Sequence, residues 1–351
     1  MFTGGLVPNT GLALHRLGMP TRLICKTGVD AFGTIIHNLF ESEGVGLSAG
    51  ILADRAESTS YSLIINPADM DRIILHNPGA NHCFDANDIN FALLGQSALF
   101  HFGYAPLMRK MYENNGQGLV DLFRRAKGTG ITTSMDMCYP DPATDAGRAD
   151  WHAILRSTLP FVDIFLPSIE EILFMLRRSE YEAMAQSGDL LKQVTPTLLH
   201  SLGDELLSMG VRIAVIKLGE QGLYMRSARK GILEGMGRAC TPDMAAWADK
   251  EFWAPCFRVE VVGTTGAGDA TIAGFLSALL RGLSPEETVN AAVAVGACNV
   301  EAPDALSGLR TWKATIERIR SGWERLQLDL DDPTWQNDET HQIWFRRPGS
   351  K

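Results

Sequence analysis

No stretch of this sequence is long and apolar enough to span a bilayer, and nothing at Met1 to Val7 reads as a secretory signal, so a cytoplasmic location is expected. Cysteine is sparse: Cys25, Cys83, Cys138, Cys240, Cys256 and Cys298 are dispersed without a CxxC pair. That spacing indicates neither a zinc site nor a disulfide framework, and it fits a reducing compartment. Positive charge is in deficit, with 32 basic against 41 acidic residues and a net charge of -9. The balance argues against nonspecific nucleic-acid or anionic-membrane binding. The short clusters Arg124-Arg125, Arg177-Arg178 and Arg346-Arg347 read as solvated faces. Several catalytic signatures are missing as well: no GxxxxGK[ST] loop, no GxGxxG fingerprint, no GxSxG elbow, no HExxH helix. The eight histidines are scattered, and a lone one such as His101 at a strand end is more often structural than a ligand.

The 351 residues are 45% hydrophobic, enough to bury a large core in one big α/β domain or two smaller ones. The most informative stretch is Val261 to Leu280, VVGTTGAGDATIAGFLSALL. It reads as a short apolar strand, a glycine-rich turn and a helix. Ile272, Phe275, Leu276, Leu279 and Leu280 recur at helical spacing and form a stripe for a core, and Arg281 with Gly282 ends the helix. Gly266, Ala267 and Gly268 leave the first-turn N–H groups open to close approach, and those groups have no partner inside a helix. With the helix dipole they form a site for an anion, most often a phosphate. Asp269 fits beside a phosphate if a substrate hydroxyl lies between them and gives its proton to the carboxylate, the arrangement of phosphoryl transfer. The alternative is a tight turn with an ordinary first-turn acid.

Upstream, GGLVPNTGLALHRLGMPTRLICKTG reads as a glycine turn, a short helix capped at Gly18 and a strand at Thr21 to Lys26, and a further helix ends at Gly44. Thr59 to Asn66 and Arg72 to His76 are β-rich runs joined by a turn at Pro67 to Asp71. From Ser97 strands and helices alternate: Ala98 to Phe102, a helix over Leu107 to Lys127, Ile131 to Asp136, then Phe161 to Leu166. This pattern predicts βαβ units and a parallel sheet with ligands at the carboxyl ends of its strands. Asp136 sits at such an end, either facing a substrate hydroxyl or shaping a turn. Further strands are expected at Arg212 to Lys217 and Leu223 to Arg226. The alanine-rich helix after Ser284 opens with a capping box.

GTTGAGDA before an apolar helix near the end of an α/β chain resembles the second signature of the ribokinase-like PfkB family of carbohydrate kinases, and the resemblance covers most of the chain. It implies an α/β, doubly wound, mostly parallel sheet flanked by helices, with a small β lid. The kinase domain would span 1–325, with lid strands at about 57–78 and an irregular insertion at about 228–253 near the nucleotide site. A polar, peripheral tail would occupy 326–351. The resemblance makes Asp269 the catalytic base and Gly266, Ala267 and Gly268 the anion hole. It places Gly4, Gly5 and Asn9 against the sugar, although Asn9 also reads as a helix N-cap. Asp136 would face the sugar too. Lys217, Gly219, Thr265, Asn299 and Ala302 would border the nucleotide, and the DALSG loop at Asp304 to Gly308 would border its adenine. Glu171 in Pro167-Ser168-Ile169-Glu170-Glu171 matches the glutamate that organises magnesium, while Ser168 replaces the family's asparagine. Ser168 and Glu171 also spell a capping box. ATP and Mg²⁺ are the implied cofactors, a sugar or sugar-like alcohol the partner, with a homodimer through the lid allowed for.

Two features depart from the family. The chain as given begins after the family's central strand and its sugar-binding aspartate, so two sheet edges are expected where that strand would lie. Gly263 stands where relatives carry an aspartate, so the resemblance does not extend to a monovalent-cation site. The expected activity is transfer of the ATP γ-phosphoryl group to a sugar hydroxyl. A nucleoside or small-alcohol kinase and a non-catalytic sugar- or nucleotide-binding protein are the alternatives.

Overall fold

The computed structural model describes residues 4–65, 73–239 and 243–347. Its centre is an eight-stranded sheet in the order β11-β12-β10-β9-β8-β7-β6-β5. The strands are β5 (Leu99–Phe102), β6 (Thr132–Met135), β7 (Ile164–Phe165), β8 (Ile213–Lys217), β9 (Leu223–Ser227), β10 (Glu251–Ala254), β11 (Trp335–Asp338) and β12 (Ile343–Arg346). β5 to β8 run parallel and the rest pair antiparallel. Strict alternation along β8 explains the layering. Ile213 and Val215 face a core built with helices Ala267–Leu280 and Pro285–Asn299, whereas Ala214 and Ile216 face a core built with helices Arg109–Gly128, Trp151–Thr158, Ile169–Leu176 and Pro196–Ser208. A strand covered on both faces must be apolar along its covered length, as this one is from Ile213 to Ile216. The result is the expected doubly wound α/β sandwich.

β1 (Cys25–Gly28) and β2 (Ile51–Asp54) form a separate parallel pair, and β3 (Tyr61–Ile65) with β4 (Ile73–Asn77) forms an antiparallel lid. Among the described strands β5 pairs only with β6 and β1 only with β2. The lid is pinned to helix Ala31–Glu43 by Asp30, whose carboxylate accepts from Gly33 N at 2.8 Å and from Thr59 N and Oγ1, both at 2.7 Å. The turn expected at Pro67 to Asp71 lies outside the described residues.

Several sequence expectations are corrected. Val261 and Val262 form no strand: they are 61% and 56% exposed, and Val262 N and Gly263 N both donate to Val300 O, at 2.8 and 3.2 Å. The segment hangs from a helix end instead of joining the sheet. The first strand begins at Cys25, not Thr21. The long helix after β5 breaks at Glu113, Asn114, Asn115 and Gly116, three of which are left-handed. The segment after Ala228 packs against the start of β6. Thr132 Oγ1 at the start of β6 donates to Met236 O at 2.6 Å, and Arg238 donates to Thr129 O at 3.1 Å, so it lies at the amino ends of the parallel strands. Its last residues are the central strand β10. The polar tail is not peripheral either, because β11 and β12 extend the sheet with Trp335 and Ile343 buried.

Candidate active site

The carboxyl ends of β5 to β8 gather the chemistry, as this topology requires. Asp136 follows β6, Lys217 ends β8 and Tyr104 follows β5. Lys217 N donates to Pro167 O at 2.9 Å, which carries the β7–β8 pairing to the start of helix Ile169–Leu176 and sets Glu171 beside Lys217. From the other side comes Gly266, left-handed at φ 74°, ahead of helix Ala267–Leu280. A Cβ on Gly266 would lie 2.5 Å from Ala305 Cβ, so glycine is demanded there both by backbone conformation and by the DALSG loop.

Asp269 is 4% exposed and anchored on three sides. Asn9 Nδ2 donates to its Oδ2 at 3.0 Å, Tyr104 OH to the same oxygen at 2.8 Å, and Thr10 Oγ1 to its Oδ1 at 2.9 Å. Burial pushes its pKa above the usual carboxylate value, while the Asn9 bond, Lys217, Tyr104 and Thr10 pull the other way. Asn9 and Thr10 arrive on a wide π-type turn, Val7–Gly11, that Gly5 opens at φ 87°. Asn9 is thus inside a turn, not a helix N-cap, and its Oδ1 is buried without a partner among the described residues. Open space lies above Gly4 and Gly5.

Lys217 Nζ donates to Asp136 Oδ1 at 2.6 Å, with side chains 12% and 2% exposed. A Cβ on Gly268 would sit 3.7 Å from Lys217 Nζ, so the ammonium lies against the backbone at the head of helix Ala267–Leu280. Burial pulls the ammonium's pKa down, but Asp136, Glu171 and Asp269 outweigh it and hold it above its ordinary value. Burial raises Asp136 against the opposing pull of Lys217. Glu171 rises for the same reason, and its Oε2 accepts from Ser168 N at 2.7 Å, completing the capping box. Asn299 Nδ2 donates to Thr265 O at 2.9 Å and tethers the glycine turn, leaving Asn299 Oδ1 buried without a partner among the described residues. Gly219 sits in the β8–β9 turn, and Ala302 O would be 3.0 Å from a Cβ on Gly263. Tyr104 and Thr10 carried no signal in the sequence. They touch Asp269 across separations of 165 and 259 residues.

Residues 1–312 match the profile described as pfkB family carbohydrate kinase. The chain belongs to the PfkB family of carbohydrate kinases. A sugar kinase of Archaeoglobus fulgidus, itself uncharacterized, is 28% identical over 85% of this chain and 98% of its own length. The 2-dehydro-3-deoxygluconokinase of Bacillus subtilis is 27% identical over 88% of this chain and 83% of its own. Among solved structures, a Xylella fastidiosa fructokinase with bound ATP aligns at a TM-score of 0.68 with 20% identity, covering 91% of this chain and 90% of that one. A putative ribokinase II from E. coli, in complex with ATP and Mg²⁺, aligns at 0.66 with 20% identity, covering 92% and 91%. These likenesses establish the ribokinase fold, and PfkB kinases are phosphotransferases.

Proposed function

We propose that this PfkB kinase transfers the γ-phosphoryl group of ATP to a hydroxyl of a sugar or sugar-like alcohol, with Asp269 as the base. The observation that carries the reading is the juxtaposition of a buried carboxylate with a left-handed glycine turn at the head of a helix, Gly266 at φ 74° and Asp269 at 4% exposure. The residues fit the nucleotide: the turn presents backbone N–H groups without helical partners, and the Lys217 ammonium lies beside them. ATP supplies the phosphoryl group, and Mg²⁺ supplies positive charge to its phosphates when both are bound.

The chain's own groups divide the work. Asp269 takes the proton from the acceptor's hydroxyl. The backbone of Gly266, Ala267 and Gly268, with Lys217, holds the charge that develops on the transferring group, where preorganised donors in a dry site act most strongly. Glu171 is the residue we assign to organising the metal; its second oxygen is free of the capping bond. Asn9 Oδ1, buried and without a partner among the described residues, would accept from an acceptor hydroxyl beside Gly4, Gly5 and Asp136. Thr265, Asn299, Ala302 and Gly219 border the nucleotide in this reading. The test is ADP release from ATP and Mg²⁺ across sugars, sugar acids and nucleosides. Acceptor-dependent ADP with a sugar supports the proposal, a nucleoside-only response reassigns the acceptor, and silence with every acceptor refutes the activity.

A further inference from the structure

Tyr104 is a group beside Asp269 to which the reaction above gives no role. It sits at φ 62° and ψ 32° just after β5, a left-handed conformation that a bulky side chain adopts only where its surroundings force it. The turn is fixed from both sides. A Cβ on Gly103 would lie 2.5 Å from Leu6 Cδ1 and 3.1 Å from Asp136 Cβ, and Ala105 and Pro106 beyond it are buried. What the strained turn delivers is the phenol, whose hydroxyl donates to Asp269 Oδ2 at 2.8 Å. Burial, with Asp269 next, pushes the phenol's pKa far up, so it remains a donor throughout the working range.

Each carboxylate oxygen offers two acceptor directions. Among the described residues Oδ2 receives both Asn9 and Tyr104, while Oδ1 receives only Thr10. We propose that Tyr104 is a positioning residue: with Asn9 it saturates Oδ2, keeps Asp269 anionic and turns Oδ1 toward the acceptor's hydroxyl as the oxygen that takes the proton. The proposal rests on Asp269 being the base. The groups facing that carboxylate are Asn9 and Thr10 from the amino-terminal turn, Tyr104 after β5, Asp136 and Cys138 after β6, and Lys217 at the end of β8. Lys217 and the three donors favour the anion, whereas burial and Asp136 oppose it.

Tyr104→Phe removes one donor and keeps the ring. The anion then loses a charge-assisted bond, so the carboxyl's pKa rises. The acid limb of the kcat/KM profile for the acceptor is expected to move about one pH unit upward, with a roughly tenfold fall in plateau kcat and an unchanged KM for ATP. A merely structural role would lower activity equally at every pH and leave the limb in place, which overturns the proposal. If the Phe variant fails to fold, 3-fluorotyrosine at position 104 keeps the shape and strengthens the donor. The limb must then move downward, and an unmoved limb overturns the proposal. Asp269→Asn separates the two claims. Near-normal turnover in that variant defeats the base and this proposal together, while a silent Asp269→Asn beside an unmoved Tyr104→Phe limb defeats this proposal alone.

Discussion

Lys217→Met removes the cation from a pair that stands 2.6 Å apart with side chains 12% and 2% exposed. Breaking a buried pair from one side costs about 3–5 kcal/mol, because a charge is stranded out of water. Asp136 escapes by taking a proton. Starting from its ordinary pKa of 3.8, protonation at pH 7 costs at most about 4 kcal/mol relative to the parent, where burial already raises this carboxyl. Without Lys217 the folded-state pKa of Asp136 lies further above the unfolded value than in the parent, the folded chain binds more protons, and the penalty grows as pH rises. At pH 5 the same arithmetic leaves about 1.6 kcal/mol. At roughly 2 °C per kcal/mol for a chain of this size, the loss of Tm is at most ~8 °C at pH 7 and ~3 °C at pH 5. The double variant Lys217→Met with Asp136→Leu replaces the pair by apolar groups and should regain stability to within about 1 kcal/mol of the parent, or exceed it. Phosphoryl transfer should fall by ~10²–10³ in both, the range for losing a charge-stabilising donor. Scanning calorimetry at the two pH values with ADP release alongside makes the check. A Lys217→Met variant that melts with the parent, or a double variant no more stable than the single, would refute the buried-pair reasoning. A double variant with parental turnover would remove Lys217 from the phosphoryl site.

Two further outcomes follow from the same geometry. Gly266→Ala forces a Cβ to within 2.5 Å of Ala305 Cβ on a residue at φ 74°, and should cut kcat by ~10²–10³ as the anion hole opens; unchanged kcat would show that the turn's backbone does not hold the phosphoryl charge. Glu171→Gln keeps an acceptor for Ser168 N, so Tm should shift by less than the equivalent of about 1 kcal/mol, while the Mg²⁺ concentration for half-maximal rate rises severalfold. A parental magnesium requirement would leave Glu171 with its capping role alone.

The parts of this molecule that could be read from its sequence are those specified by local pattern. Gly266 to Leu280 combines a glycine turn, a first-turn acid and an apolar stripe, and all of these appear where expected. Asp136 and Lys217 were placed by their positions at strand ends, although nothing local revealed that they pair with each other across 81 residues. Val261 and Val262 misled because β-branched residues favour strands only where a neighbouring strand or face accepts them, and here they lie exposed. β11 and β12 were missed for the converse reason: four-residue runs become strands here by docking, β12 onto β10 and β11 onto β12, with Trp335 and Ile343 buried. β2 spans only Ile51–Asp54, too short for periodicity to show. The break at Asn114, Asn115 and Gly116 did carry a signal, since Asn-Asn-Gly tolerates left-handed backbone, but the helical pattern on either side concealed it. Thr10 and Tyr104 were invisible because contacts of this range arise only from the fold.

The central claim is that Asp269 takes the proton of the acceptor's hydroxyl during phosphoryl transfer, and its most direct test is single-turnover phosphorylation of the best acceptor by Asp269→Asn beside the parent chain. The account predicts a rate lower by ~10²–10⁴, the range for a lost general base, with the thermal transition and ATP affinity retained. A variant that transfers the phosphoryl group within a factor of about three of the parent would contradict it.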